Sequence, residues 1–206
     1  MKNKSIIKAL SAAVLIMSAP LAVMAQETIK IGEINHYKRM AAFAGPYKNG
    51  IELAMEEVNA AGGVLGKPLE FIFRDDQGKP GEAVKIAEEL MTREGTVMLT
   101  GTILSNVGLA ISSFAGEKGY VYLASEPLAD SLVWSAGNPY TFRLRASTFM
   151  QAAMLAEAAA KTDAKKFATI APNYAYGKDA VAAFKKNLLK LKPGAEFVAE
   201  QWPGVF

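Results

Sequence analysis

From residue 29 onward the sequence alternates short β-rich runs with amphipathic helical stretches, and that alternation restricts the fold more than any other feature. "TIKIGEI" reads as a first strand. In "YKNGIELAMEEVNAAGG" Ile51, Ala54, Met55 and Val58 recur at helical spacing with Glu52, Glu56 and Glu57 opposite, and Gly62-Gly63 stops the helix. "LEFIFR" alternates as a second strand, and "GEAVKIAEELMTR" is a second helix burying Ala83, Ala87, Leu90 and Met91. "TVMLT" is a third strand, "SNVGLAISSFAGEKG" a third helix with Val107, Ile111 and Phe114 inward, and "YVYLA" a fourth strand. Strands joined by helices of this length form βαβ crossovers, hence an α/β fold with mostly parallel sheets covered by helices.

After Ala124 the rhythm changes. "SEPLADSLVWSAGNP" has two prolines and little periodicity, "YTFRLR" supplies another strand, and a helix follows from about Phe149 to Lys161. "KFATIA", "VAAFKKNLLKL" and "AEFVAEQW" then resume the βαβ pattern. Residues 145–148 are the expected passage between two lobes, giving a first α/β lobe over 26–145 and the start of a second over 146–206. A lobe with so few strands leaves a sheet edge and one face uncovered, so the second lobe reads as incomplete.

Residues 1–25 are set apart from this pattern. Lys2, Lys4 and Lys8 precede an apolar stretch from Leu10 to Val23 that ends in Val23-Met24-Ala25, the form of a secretory signal peptide cleaved after Ala25. The stretch is too short and interrupted to span a membrane, so the mature chain is expected to insert in none. Removing it takes three lysines and no acids, so the 23 basic residues become 20 against 20 acidic ones. A neutral mature chain without a basic stripe makes nucleic acid an unsuitable partner. Cysteine is absent, which excludes disulfides, thiolate metal sites and a lipid-anchored cysteine after the signal. A soluble periplasmic chain is the expectation.

In open α/β sheets ligands bind beyond the carboxyl ends of strands, where helix N-termini present unpaired N–H groups. "LTGTILSNVG" brings Ser105 and Asn106 to such a place. Ser105 and the amides after it suit a carboxylate, and equally Ser105 suits the role of a helix cap. Phe43, between the first strand and first helix, can stack on a ligand or pack on its own helix. Tyr174 or Tyr176, in "PNYAYGK", can face the cleft from the second lobe, while Gly177 can simply start a helix. Glu126 can accept a ligand hydrogen bond or remain a solvated loop carboxylate.

Catalytic patterns are weaker. "GGVLGKP" follows a helix and precedes a strand, the reverse of a phosphate loop. His36 is the only histidine, and no serine stands in a nucleophile elbow. Asp75-Asp76 is expected to cap the following helix rather than ligate a metal. No enzyme activity, cofactor or metal is expected.

"TIKIGEI", "GPYKNGIELAMEEVNAAGGVLGKPLEFIFRDDQGKPGEAVKIAEELM", "GTILSNVG" and "NYAYGKDAVAAFKKNL" together resemble the periplasmic substrate-binding proteins of the leucine/isoleucine/valine-binding family, which serve ATP-driven importers. The resemblance implies a type I periplasmic-binding-protein fold whose two lobes close by a hinge over a ligand and present a surface to a membrane permease. It assigns Ser105 to the ligand carboxylate, Tyr176-Gly177 to the second-lobe contact and Phe43 to the aromatic contact of the first. After the fourth strand the family usually offers small residues and a threonine hydroxyl, whereas "ASEPLADSL" places Glu126 and Leu128 there. Leucine cannot supply that hydroxyl, which points to a small carboxylate with an apolar or aromatic body and to Glu126 as partner of a ligand hydroxyl. Family members run to nearly twice this length, so a C-terminally truncated chain that binds weakly is expected. Two alternatives stand beside the importer component: a ligand sensor of the same fold acting on a receptor or regulator, and an enzyme whose catalytic residues lie in the missing segment.

Overall fold

The computed structural model describes residues 27–204. The expected signal peptide lies outside the described residues. The elements in order are β1 (Ile29–Asn35), α1 (Ala41–Ala60), β2 (Leu69–Asp75), α2 (Pro80–Thr92), β3 (Met98–Gly101), α3 (Ser105–Lys118), β4 (Tyr122–Ala124), a 3₁₀ turn (Asp130–Leu132), β5 (Thr141–Arg143), α4 (Thr148–Ala160), β6 (Lys166–Ile170), α5 (Ala175–Leu191) and β7 (Glu196–Gln201). Strands β1 to β5 make one parallel sheet in the order β2-β1-β3-β4-β5. The chain winds one way to β2 and the other way to β3, so the carboxyl ends of β1 and β3 part and leave a crevice.

The core of this lobe follows the apolar spacing of the sequence. Ile34, Leu90, Leu99, Val107, Ile111, Tyr122 and Leu132 are buried between the sheet and the helices. Burying each Leu or Ile side chain contributes roughly 1.5–3 kcal/mol. Gly101 is required where β3 passes β1: its φ is +105° and an added Cβ would stand 2.4 Å from the Ile34 carbonyl oxygen. That bend turns the chain from β3 toward the start of α3.

Helix α1 departs from expectation. It begins at Ala41, before Tyr47, and carries Pro46 inside it. Pro46 removes one hydrogen bond early in a helix of 20 residues, a loss the remaining turns absorb. Phe43 therefore lies in the first turn of α1 instead of in a loop before it. Ala54 is exposed and Ile51, Met55 and Val58 are half-buried, because α1 leans on the sheet along a narrow strip where only Ala44 is fully enclosed. Helix α2 matches its expectation at Ala83, Ala87 and Leu90, with Met91 at the margin of the core.

Beyond β5 the chain passes through Leu144 and into α4, capped by Ser147, whose Oγ accepts from the Met150 N–H at 3.4 Å. Strands β6 and β7 pair in parallel as a second sheet, with α4 and α5 packed together over Phe167, Phe184, Phe197 and Leu188. Its other face shows Ile170 and Val198, 76% and 58% exposed. No helix among the described residues is long and apolar enough to cross a membrane.

Candidate functional site

The crevice at the carboxyl ends of β1 and β3 is organised by Asn35, the last residue of β1 and fully buried. Its Oδ1 accepts from the His36 N–H at 2.9 Å and from the Ile103 N–H at 3.0 Å. Its Nδ2 donates to the Glu126 carboxylate. One amide thus ties the end of β1, the turn after β3 and the loop after β4 into a single rim.

Ser105 opens α3, yet it does not cap it. The cap position belongs to Leu104 in extended conformation, with no side-chain hydrogen bond. The Ser105 Oγ instead accepts from the backbone N–H groups of Leu128 and Ala129, each at 3.2 Å. A hydroxyl offers two lone pairs and one O–H. Both lone pairs are occupied, so what remains is a donor. The first N–H groups of α3 add further donors at the positive end of the helix dipole.

A cavity of about 310 Å³ opens at this point, lined by Met40, Phe43, Ile103, Ser105, Glu126, Leu128, Arg145, Tyr174 and Tyr176. The first lobe supplies Phe43 from α1, Ser105 from α3 and the loop after β4. Tyr174 and Tyr176 come from the N-terminus of α5 in the second lobe, their rings 5.9 Å apart and tilted by 39°. Gly177 is more than a helix starter, since a Cβ there would stand 2.0 Å from the Pro172 carbonyl oxygen and push this end of α5 away. The cavity therefore lies between the lobes, with aromatic walls, donors at Ser105 and a cation at Arg145.

Glu126 is 8% exposed, not the solvated loop carboxylate that its setting in the sequence allows. Burial raises its pKa above the ordinary carboxylate value, opposed by the Asn35 hydrogen bond and the Arg145 charge. Beneath it Glu33 is fully buried and accepts from the Tyr37 hydroxyl. Desolvation pushes Glu33 up to about 8, against the hydrogen bonds from Tyr37 and Asn35 and with help from the Glu126 and Asp76 charges. Burial thus raises the pKa of both carboxyl groups of this rim, while Arg145 is the positive charge that acts on Glu126.

Of the residues singled out in the sequence, Ser105, Phe43, Glu126, Leu128 and Tyr176 come together around the cavity. Asn106 does not line it, although its Oδ1 is buried without a hydrogen-bond partner. Asp75 and Asp76 do not cap α2, whose cap position is Lys79. They fold the turn before it, accepting from Gln77 N–H at 2.8 Å and Gly78 N–H at 2.6 Å. Sequence reasoning missed Asn35, Met40, Ile103 and Arg145 as site residues. The signal for Arg145 was its position just beyond β5, at a strand's carboxyl end like the others.

A doubly wound lobe facing a second lobe across a cavity is the architecture of a two-lobed binding protein. Residues 28–203 match the family described as "Periplasmic binding protein", and the chain belongs to that family. A Leu/Ile/Val-binding protein homolog of Brucella melitensis is 30% identical over 152 residues, 73% of this chain and 41% of the relative. The solute-binding protein of an ABC transporter from Rhodopseudomonas palustris BisB5, in complex with 3,4-dihydroxybenzoic acid, superposes with a TM-score of 0.77 at 25% identity, covering 86% of this chain and 47% of that one. A branched-chain amino acid transporter substrate-binding protein from Streptococcus pneumoniae, in complex with isoleucine, gives 0.75 at 25% identity over 87% of this chain and 50% of that one. The chain thus spans about half the length of the proteins it matches. Family membership implies a periplasmic location and is consistent with a transport role without catalysis.

Proposed function

We propose that this chain is the solute-binding component of an ATP-driven importer, holding a small carboxylate with an aromatic or apolar body between its two lobes and delivering it to a membrane permease. The observation that carries this reading is the Ser105 hydroxyl, whose lone pairs are filled by Leu128 and Ala129 and which can only donate. Arg145 adds a positive charge at the same cavity. Phe43, Tyr174 and Tyr176 suit a planar ring, and Glu126 is placed to meet a hydroxyl on it. Kinship within the family to leucine/isoleucine/valine binders and to the hydroxybenzoate-bound protein supports both a carboxylate and a ring. The lobes divide near Arg145 in this reading, with residues 26–145 in the first and 146–206 in the second.

Saturation-transfer NMR detects weak binding and tests this directly, with 3,4-dihydroxybenzoate, isoleucine and the neutral 3,4-dihydroxybenzyl alcohol as probes. Transfer to the dihydroxybenzoate ring, with little to the alcohol, is the expected result. Equal transfer to acid and alcohol would remove the carboxylate from the reading. Transfer to isoleucine alone would replace the aromatic acid by a branched-chain amino acid, with Glu126 then facing its ammonium group.

A further inference from the structure

A second polar cluster lies where β1 and β2 end, outside the cavity between the lobes. The His36 Nδ1 stands 3.7 Å from Asp75 Oδ1 and 3.7 Å from Asp76 Oδ1. The side chains of His36 and Asp76 are 2% and 0% exposed, and that of Asp75 is 20% exposed. The turn after β2 holds the two carboxylates in place by donating Gln77 N–H to Asp75 Oδ1 and Gly78 N–H to Asp76 Oδ1. Gly78, at φ +70°, lets this turn close against the imidazole: a Cβ there would stand 3.3 Å from His36 Nε2. The second oxygen of each carboxylate, Asp75 Oδ2 and Asp76 Oδ2, is buried and has no hydrogen-bond partner. Buried carboxylate oxygens are normally satisfied, and an unpartnered one on each of two consecutive aspartates calls for a ligand.

We propose that His36, Asp75 and Asp76 form a binding site for a divalent first-row cation of the Zn²⁺ or Mn²⁺ type. One donor atom from each residue lies within 4.8 Å of the other two. Metal bonds of about 2.1 Å at tetrahedral angles place neighbouring donors roughly 3.4 Å apart, so the 3.7 Å spacings need little adjustment. One imidazole nitrogen with two carboxylates is a mixed donor set that suits these ions better than the all-oxygen preference of Ca²⁺ or Mg²⁺. The cation balances two carboxylates gathered in a largely dry place, where unbalanced charge is costly. Asp75 is the open side, through which the ion and its remaining water ligands enter. Bound there, the ion links the ends of β1 and β2 beside Asn35, and so braces the rim of the first lobe.

The chain has one histidine and no cysteine, so any ion bound through nitrogen of a side-chain ring reports on His36 alone. The protein without an added histidine tag is titrated calorimetrically with Zn²⁺ and Mn²⁺, and Co²⁺ is followed by its visible absorption. One ion per chain is expected, with affinity at least tenfold weaker in both His36→Ala and Asp76→Asn and with the cobalt band lost in His36→Ala. Circular dichroism establishes that each variant is folded, and the His36→Ala comparison stands alone where Asp76→Asn is not. Unchanged affinity in folded His36→Ala, or no saturation up to millimolar ion, would overturn the site. An imidazole ¹⁵N spectrum showing a doubly protonated ring indifferent to Zn²⁺ would overturn it too, in favour of a plain His36–Asp75–Asp76 ion pair. None of these readouts involves the acid in the interlobe cavity.

Discussion

The Ser105 hydroxyl oxygen lies 3.2 Å from the Leu128 backbone nitrogen, so the start of α3 and the loop after β4 are joined through the very atom that faces the cavity. The same oxygen takes the Ala129 N–H. Ser105→Ala strips two amides of their acceptor and removes the O–H donor at once. A loss of about 1–3 kcal/mol in unfolding free energy is expected from the orphaned buried amide, measured by urea denaturation. Affinity for a carboxylate ligand is expected to fall about tenfold, the amount that about 1.4 kcal/mol of one lost hydrogen bond represents.

Glu33 makes stability depend on pH in a defined direction. Burial holds its folded pKa at about 8 against an ordinary 4.5, so between these values the folded chain binds more protons than the unfolded one. Stability is therefore expected to be greatest below pH 4.5 as far as this group is concerned, to decline as pH rises and to level off above about 8. The slope from this one group is at most about 1.4 kcal/mol per pH unit. Glu126, raised in the same direction, adds to the decline. Urea denaturation at a series of pH values checks this, and Glu33→Gln is expected to flatten the profile.

Arg145 lowers the Glu126 pKa and, among the described residues, is the sole basic one lining the cavity. Arg145→Met keeps much of the stem and removes the charge. Affinity for an acid is expected to drop about three- to tenfold and to lose most of its sensitivity to salt, because an exposed charge pair is screened over about 10 Å at 0.1 M salt. Titrations at low and high salt check both effects.

Gly101→Ala tests the bend that delivers α3 to the site. The backbone there has φ +105°, and the new Cβ would meet the Ile34 carbonyl oxygen at 2.4 Å and the Glu33 Oε1 at 2.7 Å. Destabilisation of about 3 kcal/mol or more is expected, from strain at a left-handed position combined with overpacking against β1. A thermal unfolding midpoint unchanged from wild type would contradict that geometry.

Much of this architecture was legible because apolar periodicity reports directly on burial. The alternation of strands and helices and the inward faces of α2 and α3 followed from spacing, and Ser105, Phe43, Glu126, Leu128 and Tyr176, singled out from topology and family resemblance, line one cavity. What was hidden depends on tertiary contacts that local pattern does not encode. Gly45, Pro46 and Gly50 punctuate the first turns of α1 and obscured its start at Ala41. Asn35 ends an apolar strand and gives no hint that it links three segments. Asp75 and Asp76 precede a helix as caps do, but Lys79 and Pro80 take the helix start and leave the aspartates to the turn. Asn106 shares the helix start with Ser105 and yet stays off the cavity wall, since adjacent residues of a helix point about 100° apart.

The donor role of Ser105 is tested most directly by NMR titration of 3,4-dihydroxybenzoate and 3,4-dihydroxybenzyl alcohol against the wild-type chain and Ser105→Ala. The expected result is a dissociation constant about tenfold weaker for the acid in the variant, with the alcohol's weaker affinity unchanged. Equal affinity for the acid in both proteins, or an equal loss for acid and alcohol, would contradict the claim that this hydroxyl holds the carboxylate.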